Sequence, residues 1–193
     1  MKRIGLFGGT FDPPHNAHLA LAAAALAALA LDAVRWIPAG DPWQKAQRIS
    51  AAAHREAMVR LAIAGEPRFA LDRRELERHG PSYTIDTVRE LQAGEPGADW
   101  FLLIGADQYA GLHTWRDWPE LLDRVGLAVA NRPGARAAPD PAVAARAHRV
   151  VPLPLLDVSA TEIRDRVARG APIDHMVPPA VARYIEANRL YRS

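Results

Sequence analysis

Cysteine is absent from the 193 residues. Its absence excludes disulfides, thiolate zinc sites and a cysteine nucleophile, and it fits a reducing compartment. A long hydrophobic run is missing as well. The longest, residues 19–31, is mostly alanine and falls short of the roughly 20 apolar residues that span a bilayer. Neither sign of charge dominates: 24 Lys plus Arg stand against 22 Asp plus Glu, for a net charge of +2. The pI of 9.3 is basic, but the arginines are scattered along the chain, so no nucleic-acid footprint is expected. Met1-Lys2-Arg3 leads straight into a strand-like run that is too short for the apolar core of a secretory signal and has no cleavage-like site. There is no internal repeat, and no G-x-G-x-x-G follows the first strand, which argues against a dinucleotide oxidoreductase. The expectation is a cytoplasmic protein without membrane or nucleic-acid partners.

What is present is a globular composition, 49% hydrophobic and 24% charged, on a length that suits one domain with a sizeable core. Short apolar runs at 4–7, 34–37, 69–71, 100–104, 126–130 and 150–153 read as strands. The last of these is interrupted by prolines and belongs at an edge. Between them lie helical stretches at about 16–31 (Asn16 as cap), 50–64 (Ser50 as cap), 84–91, 159–168 and 179–188, with helical turns within 112–124. Pro179 suits a first helical turn. Residues 132–134 and the Ala/Pro segment after them read as a loose connection. Strands alternate with helices and the central strands are apolar throughout. The expected fold is therefore α/β, a doubly wound (Rossmann-like), mostly parallel sheet with helices on both faces. A single domain over 1–193 is expected, with a C-terminal helical portion at about 157–193. Ligands in such folds bind outside the carboxyl ends of the strands.

Two stretches carry chemistry. In GGTFDPPHNAHL, residues 8–19, Gly8 and Gly9 let the backbone turn sharply and approach a ligand. The helix that follows presents unpaired N–H groups and the positive end of its dipole, an anion site. His15 and His18 are three apart, so they share a face of its first turn and can donate to phosphate oxygens. A metal pair is the competing reading, but no cysteine or nearby His or Glu completes a zinc-like spacing. In SATEIRDR, residues 159–166, Ser159 and Glu162 have the spacing of a capping box. A well-capped helix is the plain reading. Arg164 would then lie near the first turn, where its planar fork suits phosphate. Lys45, in the polar loop after the second strand, is a third candidate cation or a solvated lysine.

The first stretch resembles the G-x-F-x-P-x-H-x-x-H element of the nucleotidyltransferase superfamily, filled here by Gly9, Thr10, Phe11, Pro13, His15 and His18. Ala17 replaces the usual glycine before the second histidine. The second stretch is similar to the I-S-S-T-x-x-R element of the same superfamily, with Ser159, Thr161 and Arg164 matching and Ala160 replacing the second serine. The resemblance implies that His15 and His18 contact the ATP phosphates and stabilise the transferring α-phosphate, and that Ser159, Thr161 and Arg164 take the β- and γ-phosphates. It implies Mg²⁺ carried with ATP and no dedicated protein cage.

Three further segments, GPSYTIDTV (80–88), LIGADQYAGLHTWRDWPELL (103–122) and VPPAVARYI (177–185), resemble bacterial nicotinate-nucleotide adenylyltransferases. The implied acceptor is nicotinate mononucleotide. Trp115 would stack on its pyridine ring, and backbone amides around Thr84 and Arg116 would receive its carboxylate. Gly105 and Asp107 would lie at a strand end, with Asp107 on the ATP ribose. Core packing is the plain reading for Trp115, and Trp118 is the better core candidate. Pro42-Trp43-Gln44-Lys45 departs from the family's Pro-Pro-His-Lys, so the role of Trp43 and Gln44 stays open. Other acceptors, nicotinamide mononucleotide or phosphopantetheine, remain alternatives, as does a non-catalytic nucleotide-binding module. The resemblance leaves a homo-oligomer open.

Overall fold

The structure, a computed structural model, describes residues 1–40, 49–131, 138–154 and 156–192. Among them are six strands, β1 (Arg3–Gly9), β2 (Ala33–Pro38), β3 (Phe69–Leu71), β4 (Asp99–Gly105), β5 (Gly126–Asn131) and β6 (His148–Pro152). The α-helices among the described residues are α1 (Asn16–Ala28), α2 (Ala52–Ile63), α3 (Arg74–Glu77), α4 (Thr84–Gly94), α5 (Ala106–Gly111), α6 (Trp118–Arg124), α7 (Pro141–Ala144), α8 (Ala160–Ala168) and α9 (Pro179–Ala187). A 3₁₀ turn spans Leu112–Thr114. None of these helices is long and apolar enough to cross a membrane.

The strands form one sheet in the order β3-β2-β1-β4-β5-β6, parallel at every pairing. The chain winds outward from β1 in one direction and from β4 in the other. The order therefore reverses between these neighbours, and the crevice for a ligand opens beyond Gly9 and Gly105. Successive strand residues point to opposite faces, and both faces are buried. Ile4, Leu6, Trp100, Leu102, Ile104, Leu127 and Val129 pack with Ile85, Val88 and Leu91 of α4 and Leu121 of α6. Phe7, Val34, Trp36, Phe101, Leu103, Ala128 and Ala130 pack under α1 and α2. Burying one such large side chain contributes about 1.5–3 kcal/mol. This two-sided burial explains why the central strands read as unbroken apolar runs.

Helix α1 forms because alanine has the highest helix propensity; it buries Ala17, Leu21, Ala22, Ala25 and Leu26. It ends where Ala30 takes a left-handed φ of 47° and the Leu31 N–H donates back to the Leu26 carbonyl at 3.0 Å, a Schellman stop. Ile163 of α8, Val181 and Ile185 of α9, and Ile173, Met176 and Val177 between them enclose Met58 of α2 in a third cluster. The C-terminal helices are thus seated on the helix that follows β2.

Three local expectations change. His15, not Asn16, is the N-cap of α1. Ala51, not Ser50, is the N-cap of α2, and the Ser50 N–H is held by Asp12. Helices α3, α5 and α7, each of six residues or fewer, are too short to display a helical period. Residues 132–134 of the expected loose connection lie outside the described residues.

Gly40, just past β2, abuts α3 so closely that a Cβ would overlap the Glu75 carbonyl. Gly40→Ala is expected to displace α3 and to cost about 1–3 kcal/mol as overpacking. Thermal melting reads this directly, and an unchanged Tm would mean that α3 yields freely.

Candidate active site

Beyond β1 the chain turns through Thr10, Phe11 with a left-handed φ of 50°, and a cis Asp12–Pro13 bond. Gly9 gives room to the Phe11 ring, since a Cβ there would sit 3.0 Å from it. Phe11 is buried and stands edge-on to Phe7, with centroids 5.4 Å apart. It also stands edge-on to His18 at 5.1 Å. The loop thus rests on an aromatic floor that continues into the core.

The two histidines are brought together as expected. Their rings stack with centroids 3.6 Å apart and 21° between planes. His15 is buried, while His18 is half-buried. The His15 backbone N–H donates to Nδ1 of His18 at 3.1 Å. That bond assigns the tautomer: with Nδ1 accepting, the neutral ring carries its proton on Nε2, as a donor. Asn16 anchors the start of α1 to the C-terminal portion, its N–H donating to the Met176 carbonyl at 2.9 Å and its side-chain amide to the His175 carbonyl at 3.1 Å.

Helix α8 meets this loop. The Ser159 hydroxyl accepts from the Glu162 N–H at 3.2 Å, which is the hydroxyl half of the expected capping box. The Glu162 carboxylate faces Arg166 at 3.6 Å and Arg169 at 3.9 Å. Arg164 donates from Nη1 to the Asp12 carbonyl at 2.9 Å and from Nη2 to the Thr161 hydroxyl at 3.3 Å. The two stretches singled out in the sequence, far apart in the chain, are therefore in direct contact. Ser159 and Thr161 are exposed at the start of α8.

Beneath the loop lies a polar layer that sequence reasoning missed. Arg55 of α2 is 2% exposed. It donates to the carbonyls of Ser50 at 3.1 Å, Thr10 at 3.0 Å and Gly40 at 3.0 Å, joining the ends of β1 and β2 to the start of its own helix. Burial pushes its pKa below the usual arginine range, and the nearby Asp12 charge opposes that push. Asp12 is itself 3% exposed. Its carboxylate accepts from the Tyr191 hydroxyl at 2.6 Å and from the Ser50 N–H at 3.0 Å. One signal for Arg55 was legible: it sits at a buried, helically spaced position with Met58, Val59 and Ile63, a charge on an apolar stripe.

Gly8 and Gly9 end β1, and Gly105 ends β4, so both flank the crevice. The Gly105 N–H donates to the Gln108 side chain at 3.2 Å, and Asp107, in the first turn of α5, is exposed. On the acceptor side, Thr84 opens α4, with Tyr83 as its N-cap. Arg116 lies over the Tyr83 ring at 4.7 Å, which joins the turn before α4 to the segment carrying Trp115. Trp115 and Trp118 both sit half-buried against the same core cluster. Trp43, Gln44 and Lys45 lie outside the described residues.

A profile of the cytidylyltransferase-like family matches residues 6–166. A protein of Methylibium petroleiphilum named "Probable nicotinate-nucleotide adenylyltransferase" is 53% identical over 196 residues, covering 98% of this chain and 92% of the relative. A Bordetella petrii protein of the same name is 52% identical over 198 residues, covering all of both chains. Among solved structures, Plasmodium falciparum nicotinic acid mononucleotide adenylyltransferase complexed with NaAD superposes with a TM-score of 0.81. It is 19% identical, and the match covers 99% of this chain and 98% of that one; a likeness at that identity speaks for the fold.

Proposed function

The chain belongs to the cytidylyltransferase-like family, among the nicotinate-nucleotide adenylyltransferases, and we propose that it transfers the adenylyl group of ATP to nicotinate mononucleotide. The products are nicotinate adenine dinucleotide and pyrophosphate, a step of NAD biosynthesis. The observation that carries this reading is the contact of Arg164 with Asp12 beside the stacked histidines. It gathers imidazole, guanidinium and the main-chain donors of a glycine turn at the strand ends where a ligand binds.

An oxygen of the acceptor's phosphate forms a bond to the α-phosphorus of ATP, and the bond from that phosphorus to the pyrophosphate oxygen breaks in line. The nucleophile arrives ionised on the substrate, so no protein nucleophile is required. The residues position the reactants and stabilise charge on the equatorial and leaving oxygens. In this reading His18 donates from Nε2 to the transferring phosphate, with His15 stacked behind it. Gly8, Gly9, Thr10 and Phe11 shape the turn, and Arg164, Ser159 and Thr161 take the departing phosphates. Gly105 and Asp107 receive the ribose. Thr84, Trp115 and Arg116 receive the acceptor, and Lys45 is a further cation for the polyphosphate. Among the described residues no group of three or more His, Cys, Asp or Glu side chains could hold a metal. The donors gathered at the loop suit phosphate oxygens rather than a cation. Mg²⁺ carried in with ATP would supply charge neutralisation on the polyphosphate, and no dedicated protein cage is expected for it. The chain acts as one nucleotidyltransferase domain over 1–193, with its C-terminal helical portion, about 157–193, built onto α2. Its composition fits a reducing compartment, and we place it in the cytoplasm.

Pyrophosphate release with three acceptors side by side tests the reading. Nicotinate mononucleotide is expected to turn over faster than nicotinamide mononucleotide, and phosphopantetheine not at all. Turnover of phosphopantetheine, or of none of the three, would overturn it. Trp115→Ala is expected to raise the acceptor KM roughly tenfold, on the scale of losing a cation–π face, and to raise the ATP KM less. An effect confined to ATP would put the pyridine ring elsewhere.

A further inference from the structure

Nothing in the adenylyl-transfer reading uses Tyr191, yet its hydroxyl reaches the centre of the phosphate loop. The residue follows α9 in a short tail where Arg189 and Tyr191 both take left-handed φ values, 53° and 62°, a backbone state that bulky side chains avoid. The turn it makes brings the hydroxyl to Oδ1 of Asp12 at 2.6 Å, with the Met58 sulfur at 3.9 Å as a second neighbour. Burial raises the pKa of this phenol far above its ordinary value, and the Asp12 charge raises it further. The hydroxyl is therefore a donor at every working pH.

Asp12 is engaged on every side. One carboxylate oxygen takes Tyr191, the other takes the Ser50 N–H, and the main-chain carbonyl takes Arg164. A carboxylate so held fixes the orientation of its own peptide group, and that peptide is what Arg164 grips. We infer that Tyr191 is a positioning residue for Arg164: by clamping the Asp12 carboxylate it sets the carbonyl that aims the guanidinium at the polyphosphate. Tyr191 does not touch the reacting atoms; it acts through Asp12.

The inference rests on ATP being the nucleotide this site uses, and wild-type protein serves as the control for that reading. A wild type that releases no pyrophosphate from ATP and nicotinate mononucleotide defeats the adenylyl-transfer reading itself. With an active wild type, two variants test Tyr191: Tyr191→Phe, and a chain ending at Leu190. Both are assayed at a temperature where circular dichroism shows them folded. Each is expected to raise the ATP KM roughly tenfold, the scale of one hydrogen bond to a charged group, with the acceptor KM unchanged. Adding Tyr191→Phe to an Arg164→Ala background is expected to raise the ATP KM no further, because the two residues act in series. An unchanged ATP KM, an equal rise in both KM values, or the same increment with and without Arg164 would reduce Tyr191 to a staple of the C-terminus and overturn the inference.

Discussion

His18→Asn is expected to lower kcat by about 10²- to 10³-fold, the scale of removing one donor to a developing oxyanion, while leaving the melting temperature unchanged. The choice of asparagine follows from the two jobs of the ring. Nδ1 accepts the His15 backbone N–H at 3.1 Å and so closes the first turn of α1. Nε2, one atom farther out, is the donor assigned to the transferring phosphate. The asparagine side-chain oxygen reaches the position of Nδ1 and can keep the first bond, but nothing in that side chain reaches the position of Nε2. His18→Ala removes both, and it is expected to lose kcat by a similar factor and also to lose stability, by about 0.5–2 kcal/mol, as the cap bond goes. Comparing kcat and Tm for the two variants therefore separates chemistry from capping. If His18→Asn turns over at the wild-type rate, the histidine is structural and the phosphate donor must be sought elsewhere.

The largest expected effect on stability belongs to Arg55→Met. Methionine fills much of the same volume and keeps the helix, so the loss isolates the guanidinium. Three main-chain carbonyls, of Thr10, Gly40 and Ser50, would lose their donor inside the protein. The Asp12 carboxylate, equally buried, would lose a nearby compensating charge. Removing one side of a buried charge arrangement costs about 3–5 kcal/mol. In a chain of this length that lowers Tm by roughly 6–20 °C. Because the carbonyls belong to the loops that close β1 and β2, the loop after β1 is expected to loosen before the sheet does. Hydrogen exchange at residues 8–12 should accelerate more than at β4 or β5. A Tm within a degree or two of wild type would mean that water replaces the guanidinium at little cost.

The sheet was legible because its central strands are buried on both faces: residues 100–104 and 126–130 are apolar without a break, and no amphipathic helix reads that way. The meeting of the histidine loop with Arg164 was legible through their residue types and their placement behind a turn or a cap. Helix caps were less so. Asn16 and Ser50 have the side chains of good caps, but the Asn16 side chain donates to the His175 carbonyl instead, and Ser50 meets Asp12 through its backbone N–H. Arg55 left a trace, a charge at an apolar position of α2, although nothing local names its three partners. Tyr191 left none. It follows α9, and the carboxylate its hydroxyl meets lies 179 residues earlier in the chain.

That separation has a consequence for how the protein comes to life. Arg164 follows Asp12 by 152 residues and Tyr191 follows it by 179, whereas all six strands are complete by Pro152. A nascent chain on the ribosome can thus finish its sheet while the mouth of the crevice is still unbraced. Closing so long a loop costs little more than closing one of half the length, so delay rather than equilibrium is what the arrangement imposes. Newly made molecules complete the hydrogen bonds around Asp12 only after Arg164 and Tyr191 have emerged, and a cut between α9 and Tyr191 would remove one of those bonds while leaving every strand of the sheet in place.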